Sequence, residues 1–222
     1  MKEKVLIIGG SAGMGLATAQ QLIKEGFHVI ISGGNENRLK TQAKELGNDC
    51  EFRVIDAKNT PDLRNLFFSL SGLKHIVVTI SVRANASGIA QTEELDAKQA
   101  FERFWTSYNV LHFAPEFLNR NGSVTLISGS SAKTPLKGYG VWGTLHGSIN
   151  SLVKQAAIDI APIRVNAISP GGIGLRPDRQ LVEHKGQAED IAKMIVAVIT
   201  NRATTASIID VDGGERQGTW SG

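Results

Sequence analysis

The 222-residue chain has very little cysteine and no long apolar run. Cys50 is its single cysteine, which excludes an internal disulfide framework and is typical of a reducing compartment, so we expect a cytoplasmic protein. The longest apolar stretch late in the chain, Ile195 to Ile199, is far too short to cross a bilayer. We therefore expect no membrane anchor.

The chain also lacks any block of charge of one sign. Its formal net charge is +3, but the basic residues are scattered among acids, which gives no support to nucleic-acid binding. Its histidines never pair at metal-ligand spacing, so no metal site is expected. With 41% hydrophobic and 20% charged residues, the composition fits one domain over residues 1–222 that can bury a substantial core. The expected partner is a small-molecule substrate and not a nucleic acid or a membrane.

The most informative segment present is the glycine-rich turn near the N-terminus. An apolar strand beginning at Val5 runs into Gly9, Gly13 and Gly15, and apolar residues then recur at helical spacing until Gly26. In a dinucleotide-binding turn such glycines allow a tight bend, a close approach of phosphate to the backbone, and close packing of helix on strand. The N–H groups at the start of the helix attract anionic oxygens.

Strand and helix patterns alternate along the rest of the chain, which predicts a parallel sheet covered by helices on both faces. Thr60, Pro61 and Asp62 are interpreted as the N-cap and first turn of a helix that runs through Leu70. The other predicted strands are 28–32, 50–56, 75–79, 123–128, 164–168 and 207–211, and the other predicted helices are 35–46, 96–113, 140–160 and 188–200.

Residues at the ends of the predicted strands are expected to face the ligand. Asp56 ends the third strand, where its carboxylate can accept the adenine amino group; a solvated loop acid or helix cap is the alternative. The second strand ends without an acid for a ribose 2′-hydroxyl. Arg38 and Lys40 follow within reach of a 2′-phosphate, which favours NADP over NAD, with plain solvation of both cations as the alternative.

These features together make the chain resemble a short-chain dehydrogenase/reductase along essentially its whole length. The resemblance rests on Gly9-x-x-x-Gly13-x-Gly15, Asp56, the segments 163–171 and 188–192, and the ending Asp210-Val-Asp-Gly-Gly214. It implies an NAD(P)(H)-dependent oxidoreductase, working on a carbonyl or alcohol, with a doubly wound Rossmann-type α/β fold of about seven parallel strands. The cofactor-binding residues that it implies are Gly9, Ser11, Ala12, Gly13, Met14, Gly15, Asn35, Arg38, Asp56, Ala57, Thr79, His146, Pro170, Gly171 and Ile173.

The chain departs from the family pattern at its catalytic positions. Trp142 stands where the family has its proton-donating tyrosine, and His146 stands where it has the lysine that acidifies that tyrosine. The family serine falls on Gly129, and the family asparagine falls on Arg103. The threonine usual after Pro-Gly is absent as well. An indole N–H donates hydrogen bonds but is not an acid near neutral pH.

Four residues are candidates to replace the missing groups: Ser130, Tyr139, His146 and Arg103. Tyr139 and His146 share one helical face, and a histidine titrates near neutrality, but a half-buried loop aromatic and a packing histidine are the alternatives. Arg103 can polarise a carbonyl or bind an acidic substrate; an ordinary ion pair with Glu102 or another acid is the alternative. The alternative for the whole chain is a catalytically degenerate dinucleotide-binding protein, acting as a sensor or partner subunit.

The resemblance also carries two expectations about the surroundings of the site. The segment from Gly172 to Gln187, which usually shapes the substrate lid, is short and carries Arg176, Arg179 and Lys185. We expect an open pocket that tolerates anionic or bulky ligands. The family commonly assembles through its two long helices, so a homodimer or homotetramer is expected.

Overall fold

Seven parallel strands form a single sheet at the centre of the molecule. The computed structural model describes residues 2–172, 180–215 and 217. The strands are β1 (Lys4–Ile8), β2 (His28–Gly33), β3 (Cys50–Val54), β4 (Leu73–Val78), β5 (Ser123–Ile127), β6 (Arg164–Pro170) and β7 (Ile208–Val211). Their order across the sheet is β3-β2-β1-β4-β5-β6-β7. The predicted doubly wound sheet of seven strands is confirmed.

In the described part of the chain, six α-helices cover both faces of this sheet. They are α1 (Gly13–Lys24), α2 (Glu36–Leu46), α3 (Thr60–Phe68), α4 (Glu94–Phe117), α5 (Gly140–Asp159) and α6 (Ala188–Thr200). Because side chains alternate along a strand, Leu6 and Ile8 of β1 enter the core beneath α3, α4 and α5, whereas Val5 and Ile7 enter the core beneath α1, α2 and α6. Each face thus buries its own apolar cluster.

The sheet reverses its direction of winding at β1. The chain moves from β1 outward to β2 and β3, and then returns to place β4 on the other side of β1. A crevice forms outside the carboxyl ends of the strands at such a reversal, and ligands of doubly wound sheets bind there. Gly9 and Thr79, which follow β1 and β4, lie at this point.

Two predicted helices differ from the structure by more than one residue at a boundary, since α3 ends at Phe68 and not at Leu70, and α4 runs from Glu94 to Phe117 and not over 96–113. Asn59, and not Thr60, is the N-cap of α3, because its side-chain oxygen accepts the backbone N–H of Asp62 at 3.1 Å. Helix α4 runs through Pro115 to Phe117 rather than ending at Phe113. Burial explains this extension, since Ala114 is fully buried and the Phe117 ring stacks on Phe67 with centroids 5.8 Å apart.

Within the described residues, no helix combines the length and apolarity needed to cross a membrane.

Candidate functional site

A groove lies along the carboxyl ends of the first four strands. Its cavity, of about 340 Å³, spans the switch point between β1 and β4 and reaches the start of α2. Eight of the predicted cofactor-binding residues line it: Gly9, Ser11, Ala12, Asn35, Arg38, Asp56, Ala57 and Thr79. Lys58 also lines the cavity, whereas Lys40 does not.

The glycines at positions 9, 13 and 15 differ in what surrounds them. Two are closely packed against neighbouring atoms, and one borders open space. Gly9 has φ +95°, and a Cβ there would lie 2.9 Å from the backbone of Thr79. At Gly15 a Cβ would lie 2.5 Å from the hydroxyl oxygen of Thr79. At Gly13, with φ +51°, a Cβ would meet nothing within 4 Å. Gly9 and Gly15 therefore serve the packing of the turn, while Gly13 borders free space.

Helix α1 presents its N-terminus to that free space. Its N-cap, Ala12, has no side-chain oxygen to accept the first N–H groups, and its first turn holds no acid. The positive end of the helix is therefore left for an anionic ligand. This arrangement fits the pyrophosphate of a dinucleotide.

The far end of the groove is built from two capped segments. The Asn35 side chain accepts the Arg38 N–H at 2.9 Å and thereby caps α2, which brings Arg38 to the cavity wall. Asp56 accepts the Lys58 N–H through one carboxylate oxygen at 3.1 Å, so the predicted adenine-binding acid also closes its own turn. The outer wall of the groove thus has one arginine and one carboxylate.

A second cavity, of about 250 Å³, lies beyond Met14 at the ends of β5 and β6. Met14, Pro170 and Gly171, all predicted cofactor-binding residues, form part of its wall. All four candidate catalytic residues also line it: Arg103, Ser130, Tyr139 and His146. Side chains that are far apart in the sequence, on α4, after β5 and on α5, therefore meet in one pocket.

A short hydrogen-bond chain connects three of the pocket side chains. Arg103 Nη1 lies 3.3 Å from His146 Nε2, and His146 Nδ1 lies 2.9 Å from Ser131 Oγ. Because a guanidinium has only donors, Nε2 must accept, and a neutral imidazole then carries its proton on Nδ1. The Nδ1–H donates to Ser131 and leaves the Ser131 O–H to donate elsewhere. No acceptor for that O–H is found among the described residues.

His146 is held in its neutral form. Burial, and secondly the charge of Arg103, lower its pKa from 6.5 to about 4. Burial likewise lowers the pKa of Arg103 to about 10, which still leaves the guanidinium charged at neutral pH. At pH 7 the imidazole is therefore a hydrogen-bond bridge and not an imidazolium acid.

Gly129 is the position that makes room for this imidazole. A Cβ at residue 129 would lie 2.5 Å from His146 Cε1 and 2.6 Å from Nδ1. A serine at this position would therefore collide with the ring. The two departures from the family pattern, at 129 and 146, are linked by one steric requirement.

The serine that contacts the His146 ring is Ser131 and not the predicted Ser130. Both lie in a short 3₁₀ turn over residues 130–132, but Ser131 is buried and points at the ring, while the Ser130 hydroxyl lines the cavity without a hydrogen-bond partner among the described residues. In the sequence, only the run of serines around Gly129 indicates that a serine lies near His146. The 3₁₀ turn determines which of these serines faces α5.

Two further candidates, and the tryptophan at the family's tyrosine position, are placed as follows. Tyr139 is the N-cap of α5, and its half-exposed side chain lines the mouth of the pocket. The Trp142 indole N–H donates a hydrogen bond to the backbone carbonyl of Ala86, at 2.9 Å. The alternative of an Arg103–Glu102 ion pair is wrong, because Glu102 pairs with Lys58 at 3.3 Å while Arg103 turns inward to His146 and the Ile127 carbonyl.

Some of the predicted positions lie outside the described residues. These are Ile173, a predicted cofactor contact, and the lid cations Arg176 and Arg179. The described part of the chain contains no group of three or more His, Cys, Asp or Glu side chains arranged to hold a metal ion.

Comparisons with known proteins agree on the family. A family profile described as enoyl-(acyl carrier protein) reductase matches residues 9–215. The short-chain dehydrogenase/reductase ATR9 of Stachybotrys chlorohalonatus is 28% identical over 245 residues, covering 96% of each chain, and the 3-oxoacyl-(acyl-carrier-protein) reductase FabG of Rickettsia bellii is 26% identical over 232 residues, with the same coverage. The structure of the MalC reductase/Diels-Alderase from Malbranchea aurantiaca superposes with a TM-score of 0.89 at 24% identity, covering 97% of both chains. The chain belongs to the short-chain dehydrogenase/reductase superfamily, whose members are oxidoreductases that generally use NAD(H) or NADP(H).

Proposed function

We propose that the protein is an NAD(P)(H)-dependent oxidoreductase that reduces a carbonyl or oxidises an alcohol with a non-standard set of side chains. The observation that carries this proposal is the Arg103–His146–Ser131 hydrogen-bond chain. It lies in a pocket lined by Met14 in the first turn of α1, shortly after the residues Gly9, Ser11 and Ala12 that border the groove.

The groove residues fit the adenosine and pyrophosphate parts of a nicotinamide dinucleotide in their chemistry. The N-terminus of α1 beside Gly13 would hold the pyrophosphate, and Asp56 and Arg38 would hold the adenosine end. When bound, the cofactor supplies or accepts a hydride at its nicotinamide ring. The protein's own task is to hold the substrate oxygen and to provide for its proton.

Ser131 is the side chain assigned to the substrate oxygen. Its oxygen accepts the His146 N–H, so its own hydrogen is turned to other acceptors, and a carbonyl oxygen in the pocket is such an acceptor. His146 and Arg103 act as positioning residues, since they fix the direction of this donor. Tyr139 is assigned the role of proton donor, because its phenolic O–H lines the same pocket.

Substitutions separate these roles from cofactor binding. We expect Ser131→Ala to lower kcat/KM by about a hundredfold and His146→Gln by about tenfold, because the first loses the donor and the second only its orientation. Tyr139→Phe should lower kcat and diminish the solvent isotope effect. The assay couples NADPH or NADH oxidation to a panel of aldehydes, ketones, quinones and enones, and cofactor affinity is measured by calorimetry.

The alternative function is dinucleotide binding without hydride chemistry. The neutral His146 and the occupied Trp142 N–H favour it, because neither side chain is an acid at pH 7. Tight cofactor binding without turnover of any substrate class in the panel would support this alternative and contradict the oxidoreductase proposal. Turnover that Ser131→Ala and Tyr139→Phe reduce, with cofactor affinity retained, would exclude it.

We propose NADP(H) as the preferred cofactor. Gly33 and Gly34 line the groove where an acid would repel a 2′-phosphate, and Arg38 lines the same wall. Arg38→Gln should therefore weaken NADPH binding by about tenfold and leave NADH binding nearly unchanged. Equal loss for both cofactors would contradict this preference.

A further inference from the structure

Arg103 brings a positive charge into the pocket without an anionic partner. Its guanidinium contacts the neutral His146 ring and the Ile127 carbonyl, and no carboxylate among the described residues forms an ion pair with it. The neighbouring acid, Glu102, is turned outward to Lys58. A half-buried cation without a counter-ion is costly unless something else supplies the negative charge.

The Arg103 guanidinium also has N–H donors that are not used in these two hydrogen bonds. One N–H is directed to His146 and one to Ile127, while a guanidinium carries several further N–H groups in a planar fork that matches a carboxylate. Arg103 is among the residues that line the pocket, so the side chain borders the space where a ligand would lie.

The other charged group on the pocket wall forms no ion pair with Arg103. Glu215 lines the pocket beside Gly171, and its carboxylate accepts the backbone N–H of Gly172 at 3.1 Å. His146 contributes no charge at neutral pH. Among the described residues, the pocket therefore has one guanidinium, from α4, and one carboxylate, which is hydrogen-bonded to the backbone and not paired with that guanidinium.

We propose that this pocket takes a carbonyl substrate that carries a carboxylate, and that Arg103 is the counter-ion of that carboxylate. The inference rests on the proposed oxidoreductase function for the reacting carbonyl, but the carboxylate site itself is independent of turnover. The cavity of about 250 Å³ has room for a small-molecule carboxylate.

The test uses two probes of nearly the same shape, benzoate and benzamide. Calorimetric titration of the full chain, with and without NADP⁺, should show benzoate binding at least about tenfold more tightly than benzamide. Arg103→Met should reduce that ratio to about one, and Arg103→Lys should retain part of it, since lysine keeps the charge but not the fork. Arg120→Met is the matched control, because Arg120 is an exposed arginine at the opposite end of the sheet.

A purely structural role for Arg103 gives a different result. Its removal would then weaken benzoate and benzamide alike, or lower cofactor affinity, without changing the ratio between the two probes. An unchanged ratio in Arg103→Met, or no preference for benzoate in the wild type, would overturn the carboxylate site.

A kinetic comparison connects the site to the reaction. Phenylglyoxylate should have a KM at least about tenfold below that of its methyl ester, and Arg103→Met should remove the difference. Turnover of the ester that exceeds turnover of the acid would count against the substrate class and leave the oxidoreductase function standing. Failure to bind NAD(P)(H) at all would count against the function, while the benzoate ratio would still decide the inference.

Discussion

Residues 129 and 146 occupy one shared volume, and this makes them energetically coupled. Gly129 has extended backbone, so alanine meets no conformational penalty there, yet its Cβ would lie 2.5 Å from the His146 ring. We expect Gly129→Ala to lower the free energy of unfolding by about 1–3 kcal/mol, because the ring must move. Urea denaturation measures this loss.

The same substitution in a His146→Ala background provides the control. Without the imidazole the added methyl group has space, so the penalty should shrink by about 1 kcal/mol or more. Gly147→Ala tests the chemistry of the substitution alone, since a Cβ there meets nothing within 4 Å and helix α5 should gain about 0.5–1 kcal/mol. An identical Gly129→Ala penalty in both backgrounds would show that the two positions are independent.

His146 should stay neutral throughout the pH range in which the enzyme works. Its folded-state pKa of about 4 lies below the ordinary value of 6.5, so the unfolded chain binds more protons between these two values. This group's contribution to stability is therefore complete above pH 6.5 and is lost as the pH falls toward 4. His146→Gln should flatten the pH dependence of the unfolding free energy in that window.

Proton NMR checks the same ionisation directly. The His146 resonance is identified as the imidazole signal that is missing in His146→Gln. Its chemical shift should not change between pH 5.5 and 8, because this whole range lies above the His146 pKa of about 4. His75, whose pKa burial also lowers to about 4, keeps part of the acid sensitivity in the variant. A titration of His146 near pH 6.5 would restore the imidazolium as a candidate proton donor.

Two helices begin with an asparagine cap, but only one of these caps borders the cofactor groove. Asn35 caps α2 and places Arg38, while Asn59 caps α3. Replacing either by alanine should cost about 0.5–2 kcal/mol of unfolding free energy. Only Asn35→Ala should also weaken NADPH binding, by fraying the turn that holds Arg38, and calorimetry on both variants distinguishes them. Equal cofactor affinity in the two would remove Asn35 from the site.

The elements could largely be predicted from the sequence, whereas the contacts inside the pocket could not. Alternation of apolar strands with amphipathic helices determines the sheet, and the turn after β1 indicates the groove. Periodicity does not resolve which of the adjacent polar residues Asn59 and Thr60 caps α3. It also does not reveal the burial around Phe117 that extends α4. Which serine contacts His146 depends on the direction of a 3₁₀ turn, which the sequence does not reveal. The link between Gly129 and His146 depends on the space that the imidazole takes up between two elements.

At the scale of the whole molecule, the two longest helices leave large apolar side chains in solvent. Trp105 and Tyr108 on α4 are 57% and 44% exposed, and their rings lie edge to face 6.1 Å apart. Leu95 on α4 and Ile158 on α5 are exposed as well. Exposed apolar patches of this kind mark contact surfaces, so we propose that two or four copies of the chain associate through these helices.

Sedimentation velocity tests this association. The wild type should sediment as a dimer or tetramer, and Trp105→Glu should shift it toward monomer, because a charge placed in an apolar interface is left without a partner. Val54→Glu is the control, since Val54 is similarly exposed, at 47%, but ends the edge strand β3. The groove along β1 to β4 lies apart from Trp105, so the variant should keep its NADPH affinity while its assembly changes. A monomeric wild type, or an unchanged assembly in Trp105→Glu, would show that these aromatic side chains are not the contact.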